Sequence, residues 1–296
     1  MATSDLNKRM KDYEKRNRYY LQRRMPVIVR LDMRAGHTFL KNFERPFDES
    51  FIKSMQETAK YLCENIPNCK LSYQQSDEIS LLLVDYEKLD TSSFLDYRTD
   101  KLCSLTASMA TLLFNRKLGK NVSEFIYNNG ENYETDSKEY TLCRVYKDAF
   151  NKGAIFDSRC FNLSKEEVTN YFYWRQLDAS RNSIQMTGQA YFSHEELKHK
   201  TRKDIQDMLV LQKGINWNDL PTYQKRGSCC VKEKYFVPYE NGNQIKLPEG
   251  CSDPFTDDEI ETGIYKTHWI IDKEIPIFRN DGREYIEKFV YSESEM

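Results

Sequence analysis

KLSYQQSDEISLLLV, residues 70–84, decides the fold. Leu71–Gln75 reads as one strand and Ile79–Val84 as a second, strongly apolar one, with a tight Ser76-Asp77-Glu78 junction between them. Upstream, PVIVRLDMRAGHTF (residues 26–39) alternates Val27, Val29 and Leu31 with Ile28, Arg30 and Asp32, the pattern of a strand buried on at least one face. A helix joins the two stretches. Asp48 is its expected N-cap, Phe51, Ile52, Met55, Ala59, Leu62 and Ile66 follow at helical spacing, and Pro67-Asn68 stops it.

Downstream, a second long helix is predicted over roughly Phe94–Leu118, with Leu102, Leu105, Met109, Leu112 and Leu113 on its apolar face. The polar, Asn-rich residues 120–140 read as a loop insertion, and Ala154–Leu163 as a fourth strand. The order strand, helix, strand, strand, helix, strand is the split βαβ, ferredoxin-like pattern of an α+β fold. In it, a crossover helix returns the chain so that the second strand runs parallel to the first. The hairpin after the second strand then lies where the first strand finishes. Asp32 and Asp77 are therefore expected to meet at one sheet edge.

The flanks are plainer. A charged helix is expected over residues 4–22, ended by Pro26. Ser164/Glu167 and Ser193/Glu196 read as capping boxes opening further helices, and the chain to Gly227 reads as helical or irregular. Residues 229–290 switch to strand-like patterns around a polar loop at 240–263. The expected division is a basic N-terminal helix (1–24), a catalytic core (25–165), a helical region (166–230) and a C-terminal β-rich extension (231–296).

Composition bounds the function. The 296 residues carry 39% apolar side chains, a net charge of −2 and a mean hydropathy of −0.77. No stretch approaches the ~18 apolar residues of a membrane span, and the N-terminus has no apolar signal core, so a cytoplasmic protein without membrane contact is expected. None of the eight cysteines forms a C-x-x-C pair, which argues against zinc. The vicinal Cys229-Cys230 reads as two half-buried strand thiols, with redox activity the competing reading. His194 and His199 are five apart, not the four of a helical zinc pair, so zinc is rejected there too.

The chemistry lies in the acids. Mg²⁺ takes a few carboxylate oxygens and completes its shell with phosphates and water. Asp32 and Asp77 can supply those oxygens, with Glu78 in support or outside the shell. The turn Met33, Arg34, Ala35, Gly36 and His37 brings backbone N–H groups to the same place, a cradle for a triphosphate, and Gly36 permits close approach. Turn chemistry is the plain reading of each acid alone; both at one edge favour a metal. Arg98 and Lys101, opening the second helix, are candidates to neutralise the phosphates. Basic residues 8–24, with Tyr13, Tyr19 and Tyr20 among them, read either as a solvated helix or as a phosphate-contacting face. NYFYWRQLDASRNSI (residues 170–184) is dense in groups that stack on bases and hold phosphates, making Arg175, Arg181 and Asn182 candidate RNA contacts; a buried aromatic face is the alternative.

These residues carry a resemblance. RLDMRAGHTF, RPFDESF, YQQSDEISLLL, the Arg98/Lys101 helix, FDSRCF (156–161), NYFYWRQLDASRNSI and KRG (225–227) occur in the order of the tRNA-His guanylyltransferase family, spanning roughly residues 25–230. The chain resembles in particular the guanylyltransferase-like branch of 3′-to-5′ polymerases. That resemblance implies a polymerase-palm core, two Mg²⁺ ions on Asp32, Asp77 and the carbonyl of Met33, and triphosphate contacts from Asp32–His37, Ser76 and Asp77. It implies a reaction in which a tRNA 5′-monophosphate is activated by ATP or GTP and then attacked by the 3′-hydroxyl of an incoming nucleotide. It also implies a homotetramer. Two departures stand out: Met33 replaces the usual Gly, and Arg181-Asn182-Ser183-Ile184 stands where the eukaryotic branch has His-Ile-Asn-Asn. The second favours templated repair of 5′ ends over strict G addition. A palm-type nucleotide cyclase and a non-catalytic RNA-binding module are the rival readings.

Overall fold

The computed structural model describes residues 2–129, 137–240, 243–244 and 263–291. Helix α1 (Ala2–Lys15) is exposed over its described side chains. It is shorter than the expected 4–22: the chain turns after Lys15, Tyr20 makes an isolated bridge with Arg98, and Pro26 lies beyond the helix, its carbonyl accepting from Leu163 N–H.

Strand β1 (Val27–Met33) leads through the short α2 (Gly36–Phe39) to α3 (Glu49–Asn65), which Asp48 caps by accepting from Phe51 N–H at 2.8 Å. Strands β2 (Cys69–Gln75) and β3 (Glu78–Leu83) form the hairpin. Strand β3 pairs antiparallel with both β1 and β2, so those two run the same way on either side of it. Helix α4 (Thr99–Asn129) and α5 (Lys138–Lys152) precede β4 (Phe156–Asn162), which pairs with the other side of β1. The order β4-β1-β3-β2 is the expected ferredoxin-like arrangement.

The predicted loop insertion at 120–140 is a correction. Asn128 and Asn129 end the helix α4, and α5 opens at Lys138 on a Ser137 cap; residues 130–136 are outside the described set. Polar side chains hid two helices whose apolar contacts are few: Val122, Leu142, Tyr146 and Ala149 are the buried ones. The apolar face of α4 also shifts. Leu102, Ala110, Phe114 and Leu118 are buried with Thr106, whereas Leu105 and Leu112 are exposed. Thr106 lies on the buried stripe because its hydroxyl bonds Leu102 O at 2.7 Å and Ser158 Oγ at 2.9 Å.

Helices α6 (Lys165–Tyr191), α7 (His194–Leu197), α8 (Arg202–Lys213) and α9 (Thr222–Arg226) follow. The Ser193/Glu196 capping box forms; Ser164 occupies the N-cap of α6 without a side-chain cap bond, so that box does not. Strand β5 (Ser228–Glu240) then adds to the free edge of β2, and β6 (Asn243–Gln244) and β7 (Gly263–Asp272) pair with β5. The rest of the predicted 240–263 loop lies outside the described residues. Beyond β7 the expected strand is absent: Ile275 and Phe278 are core residues of an irregular stretch ending in α10 (Glu284–Glu287).

The sheet separates two cores. Val29, Leu31, Ile79 and Leu81 face α3 and α4; Ile28, Leu71, Tyr73 and Leu82 face α6 and the C-terminal stretch. Each fully buried Leu, Ile or Val contributes about 1.5–3 kcal/mol. Cys229 and Cys230, both fully buried, point into opposite cores as the two-residue period demands, and burial pushes the Cys229 thiol up.

Candidate active site at one edge of the sheet

The pairing register brings the acids together. Asp32 is opposite Glu78 across β1 and β3, and Met33 N–H donates to Asp77 O at 3.1 Å. Backbone strain gathers here: Ala35 (φ 54°) and Ser76 (φ 46°), one beside each acid-bearing strand end, adopt left-handed conformations without being glycine. Each such residue costs about 1–3 kcal/mol and persists only where the surroundings over-determine it. Gly36 is required by proximity: a Cβ there would stand 1.9 Å from Asp77 Oδ2. Among the described residues no acceptor meets the N–H groups of Gly36 and His37, because α2 begins at this point.

The charges are arranged in a chain. Arg30, two residues before Asp32 and on the same face, donates from Nη2 to Asp32 Oδ1 at 3.0 Å and lies 2.9 Å from Glu78 Oε2. Arg175, reaching down from α6, grips Glu78 in bidentate fashion, Nε to Oε1 at 2.7 Å and Nη2 to Oε2 at 2.6 Å. Burial pushes the Glu78 carboxyl up from its ordinary value, and the Arg175 and Arg30 guanidinium groups oppose that shift. Burial also raises Asp77, and the nearby Asp32 charge adds to the rise. The Oδ2 atom of Asp32 is buried and accepts no hydrogen bond; Arg159 Nη2 lies 3.2 Å away but out of hydrogen-bond alignment.

This donor set suits Mg²⁺. A buried carboxylate oxygen without a hydrogen-bond donor and a second carboxylate packed against Gly36 are few protein ligands, the kind of set that Mg²⁺ completes with phosphate and water.

A cavity of about 260 Å³ opens beside Ser76 and Asp77, between the hairpin, α3, α6 and α9. His37, Arg45, Gln74, Asn182 and Tyr223 line it. Its outer wall is pinned by Asp48, whose Oδ2 accepts from Tyr146 OH at 2.7 Å and from Glu44 N–H at 3.1 Å. Gly227 closes the floor: a Cβ would meet Gln74 O at 2.4 Å, and its φ of 84° admits few other residues.

Several candidates are not at this edge. Arg98 and Lys101 begin α4 at the opposite end of the sheet, where Cys103 meets Cys160 and Tyr19 O accepts from Thr99 N–H; Thr111 and Asn115, later in α4, reach Phe156 and Ala154 at the acidic end. Thr106 bonds Ser158, one residue from the Asp157 that pairs with Asp32, and Lys101 and Arg98 precede it by five and eight residues, an axial offset of roughly 8–12 Å. Strand β3 runs away from the edge, so the helix after it must start at the far end; Arg98 instead pairs with Asp100. Arg175 is 5% exposed and engaged by Glu78 and Asp178, so as an RNA contact it is corrected: the aromatic stretch is in good part a buried face. Arg181 is exposed and pairs with Asp178, and Asn182 faces the cavity. Sequence reading passed over Arg30, although its spacing from Asp32 is the two-residue period of a strand. Asp48 was legible only as a helix cap, and Tyr146 and the α9 wall carried no local signal, since long-range packing alone brings them in.

Residues 7–164 match the family described as tRNAHis guanylyltransferase, Thg1. A solved bacterial Thg1-like protein in complex with ATP is 39% identical, aligned over 97% of this chain and 99% of its own, with a TM-score of 0.74. A second, in complex with GTP, is 36% identical over 97% and 100%, with a TM-score of 0.70. A tRNA(His) guanylyltransferase of Debaryomyces hansenii is 27% identical over 76% of this chain and 79% of its own length. Palm-like topology, acids meeting across the register and likeness along nearly the whole chain agree: this protein belongs to the tRNAHis guanylyltransferase (Thg1) family.

Proposed function

We propose that the chain is an Mg²⁺-dependent nucleotidyltransferase that adds nucleotides to the 5′ end of tRNA in the 3′-to-5′ direction, after ATP or GTP activates the 5′-monophosphate. What carries the reading is the cross-strand meeting of Asp32 with the Asp77 hairpin, with Asp32 Oδ2 left without a donor. Membership of a guanylyltransferase family and the ATP- and GTP-bound neighbours support it.

Asp32, Asp77 and the carbonyl of Met33 are the groups that would hold two Mg²⁺ ions. When bound, such a pair supplies charge stabilisation for the attacking and leaving oxygens of phosphoryl transfer. Gly36 and His37 N–H groups, with Ser76, would receive the triphosphate, and the cavity beside them the base. In the first step an oxygen of the RNA 5′-phosphate attacks the α-phosphorus of ATP and pyrophosphate leaves. In the second, the 3′-hydroxyl of the incoming nucleotide attacks the activated 5′-phosphorus and AMP leaves. Glu78 stays outside the metal shell, held by Arg175 and Arg30, and keeps Arg30 beside Asp32. A homotetrameric, cytoplasmic enzyme completes the proposal; among the described residues no helix is long and apolar enough to cross a membrane.

Incubating a 5′-truncated tRNA with labelled GTP, ATP and Mg²⁺ tests it. Label at the RNA 5′ end, lost in Asp77→Ala, is expected. A cyclic nucleotide formed without RNA, or RNA binding with no turnover, overturns it in favour of a cyclase or a binding module.

A further inference from the structure

A second cleft, of about 950 Å³, lies between α4 and α5. Arg116 and Lys120 from α4 and Arg144 and Lys147 from α5 line it, together with Tyr140 and Phe150, and no Asp or Glu does among the described residues. All four cations are exposed. Among the described residues Arg116, Arg144 and Lys147 meet no carboxylate within ion-pair distance, and Lys120 shares Glu124 with Lys53. Four cations without a lining acid are a local excess in a chain of net charge −2. The spacing gives them one direction: i, i+4 on α4 and i, i+3 on α5 each place two charges on one helix face. Phe150 is 50% exposed and rests against Gly119, where a Cβ would come within 2.6 Å of its ring, so the aromatic wall is held in place.

The cleft adjoins the acidic edge. Asn115, on its α4 wall, bonds both N–H and O of Ala154, and the next residue, Ile155, accepts from Arg34 N–H at 2.8 Å. Two successive residues thus separate the cleft wall from the triphosphate turn. Cations beside aromatic rings are the means by which proteins hold an RNA strand without reading its sequence.

We infer that the α4–α5 cleft is a docking site for the phosphodiester backbone of the RNA substrate, leading its 5′ end to Asp32 and Asp77. The identity of the ligand as substrate rests on the nucleotidyltransferase reading; the site itself rests on charge and position. None of the four cations belongs to the catalytic edge.

The test compares wild type with Arg144→Glu/Lys147→Glu and with the milder Arg144→Gln/Lys147→Gln, using a 5′-monophosphorylated tRNA transcript as probe. Binding is followed against NaCl, Mn²⁺ binding by electron paramagnetic resonance, and oligomeric state by light scattering. The charge reversal is expected to weaken RNA binding at least about tenfold and to reduce the slope of log K against log[NaCl] by roughly 1.4–1.8. The Gln pair is expected to follow in the same direction, with Mn²⁺ binding and circular dichroism unchanged. Wild-type affinity and slope in either folded variant overturn the inference, as does a changed oligomer with intact RNA binding, which makes the cleft an interface between copies. If wild type binds RNA through this cleft yet transfers no nucleotide, the catalytic proposal fails and the docking site stands.

Discussion

Gly36 concentrates the chemistry of the edge. Any side chain there collides with Asp77, so Gly36→Ala is expected to displace the carboxylate, lower turnover by at least about tenfold and weaken Mn²⁺ binding, with circular dichroism unchanged. A variant with wild-type metal affinity refutes that account. Asp77 also sets a pH dependence. Its carboxyl is raised by burial and by Asp32, so a proton must leave before a divalent ion binds. Mn²⁺ affinity is therefore expected to climb across the window in which pH rises from the ordinary aspartate range through that raised value, and to level off above it. The stability effect has the opposite sign. A carboxyl raised in the fold favours folding when protonated, so the metal-free protein loses that contribution as pH rises, and metal binding offsets the loss. Flat affinity across the window contradicts the assignment.

Helix α6 is tied to the sheet by a buried charge pair. Arg175 was legible as a cation on an aromatic helix, but the partner that defines it, Glu78, lies 97 residues away and is brought in only by packing. Removing Arg175 leaves the buried Glu78 with Arg30 alone: Arg175→Met is expected to cost up to about 3–5 kcal/mol in denaturant unfolding, and Arg175→Met/Glu78→Gln to recover most of it. A single-variant loss under about 1 kcal/mol is incompatible with the pair as described. Helix α4 teaches the complementary lesson. Leu105 and Leu112 have the right residue type for a core, but Thr106 takes the buried stripe because Ser158 offers it a hydrogen bond.

Strand β5 joins the C-terminal quarter to the same sheet, and the stretch after β7 completes the second core. Phe278 packs on Tyr73 at 5.9 Å, Gln176 bonds Pro276 O and Phe278 N–H, and Tyr86 bonds Val290 O. A chain ending at residue 227 would bare the β2 edge and half a core face. It is expected to aggregate or to unfold without cooperativity. A soluble truncate with a single sharp thermal transition near that of the full chain would show that the C-terminal quarter is dispensable.

The sequence by itself determined the ferredoxin-like order, the strand that ends at Asp32, the hairpin that carries Asp77, and their meeting at one edge. Those follow from local periodicity and from the handed, parallel return of a crossover, which leave little freedom. Only the tertiary structure decided that Arg98 and Lys101 lie at the far end, that Glu78 is held between two arginines, and that residues 120–129 continue a helix whose partner lines a basic cleft. These depend on which side chains meet across long separations in the chain, and no local pattern encodes a partner of that kind.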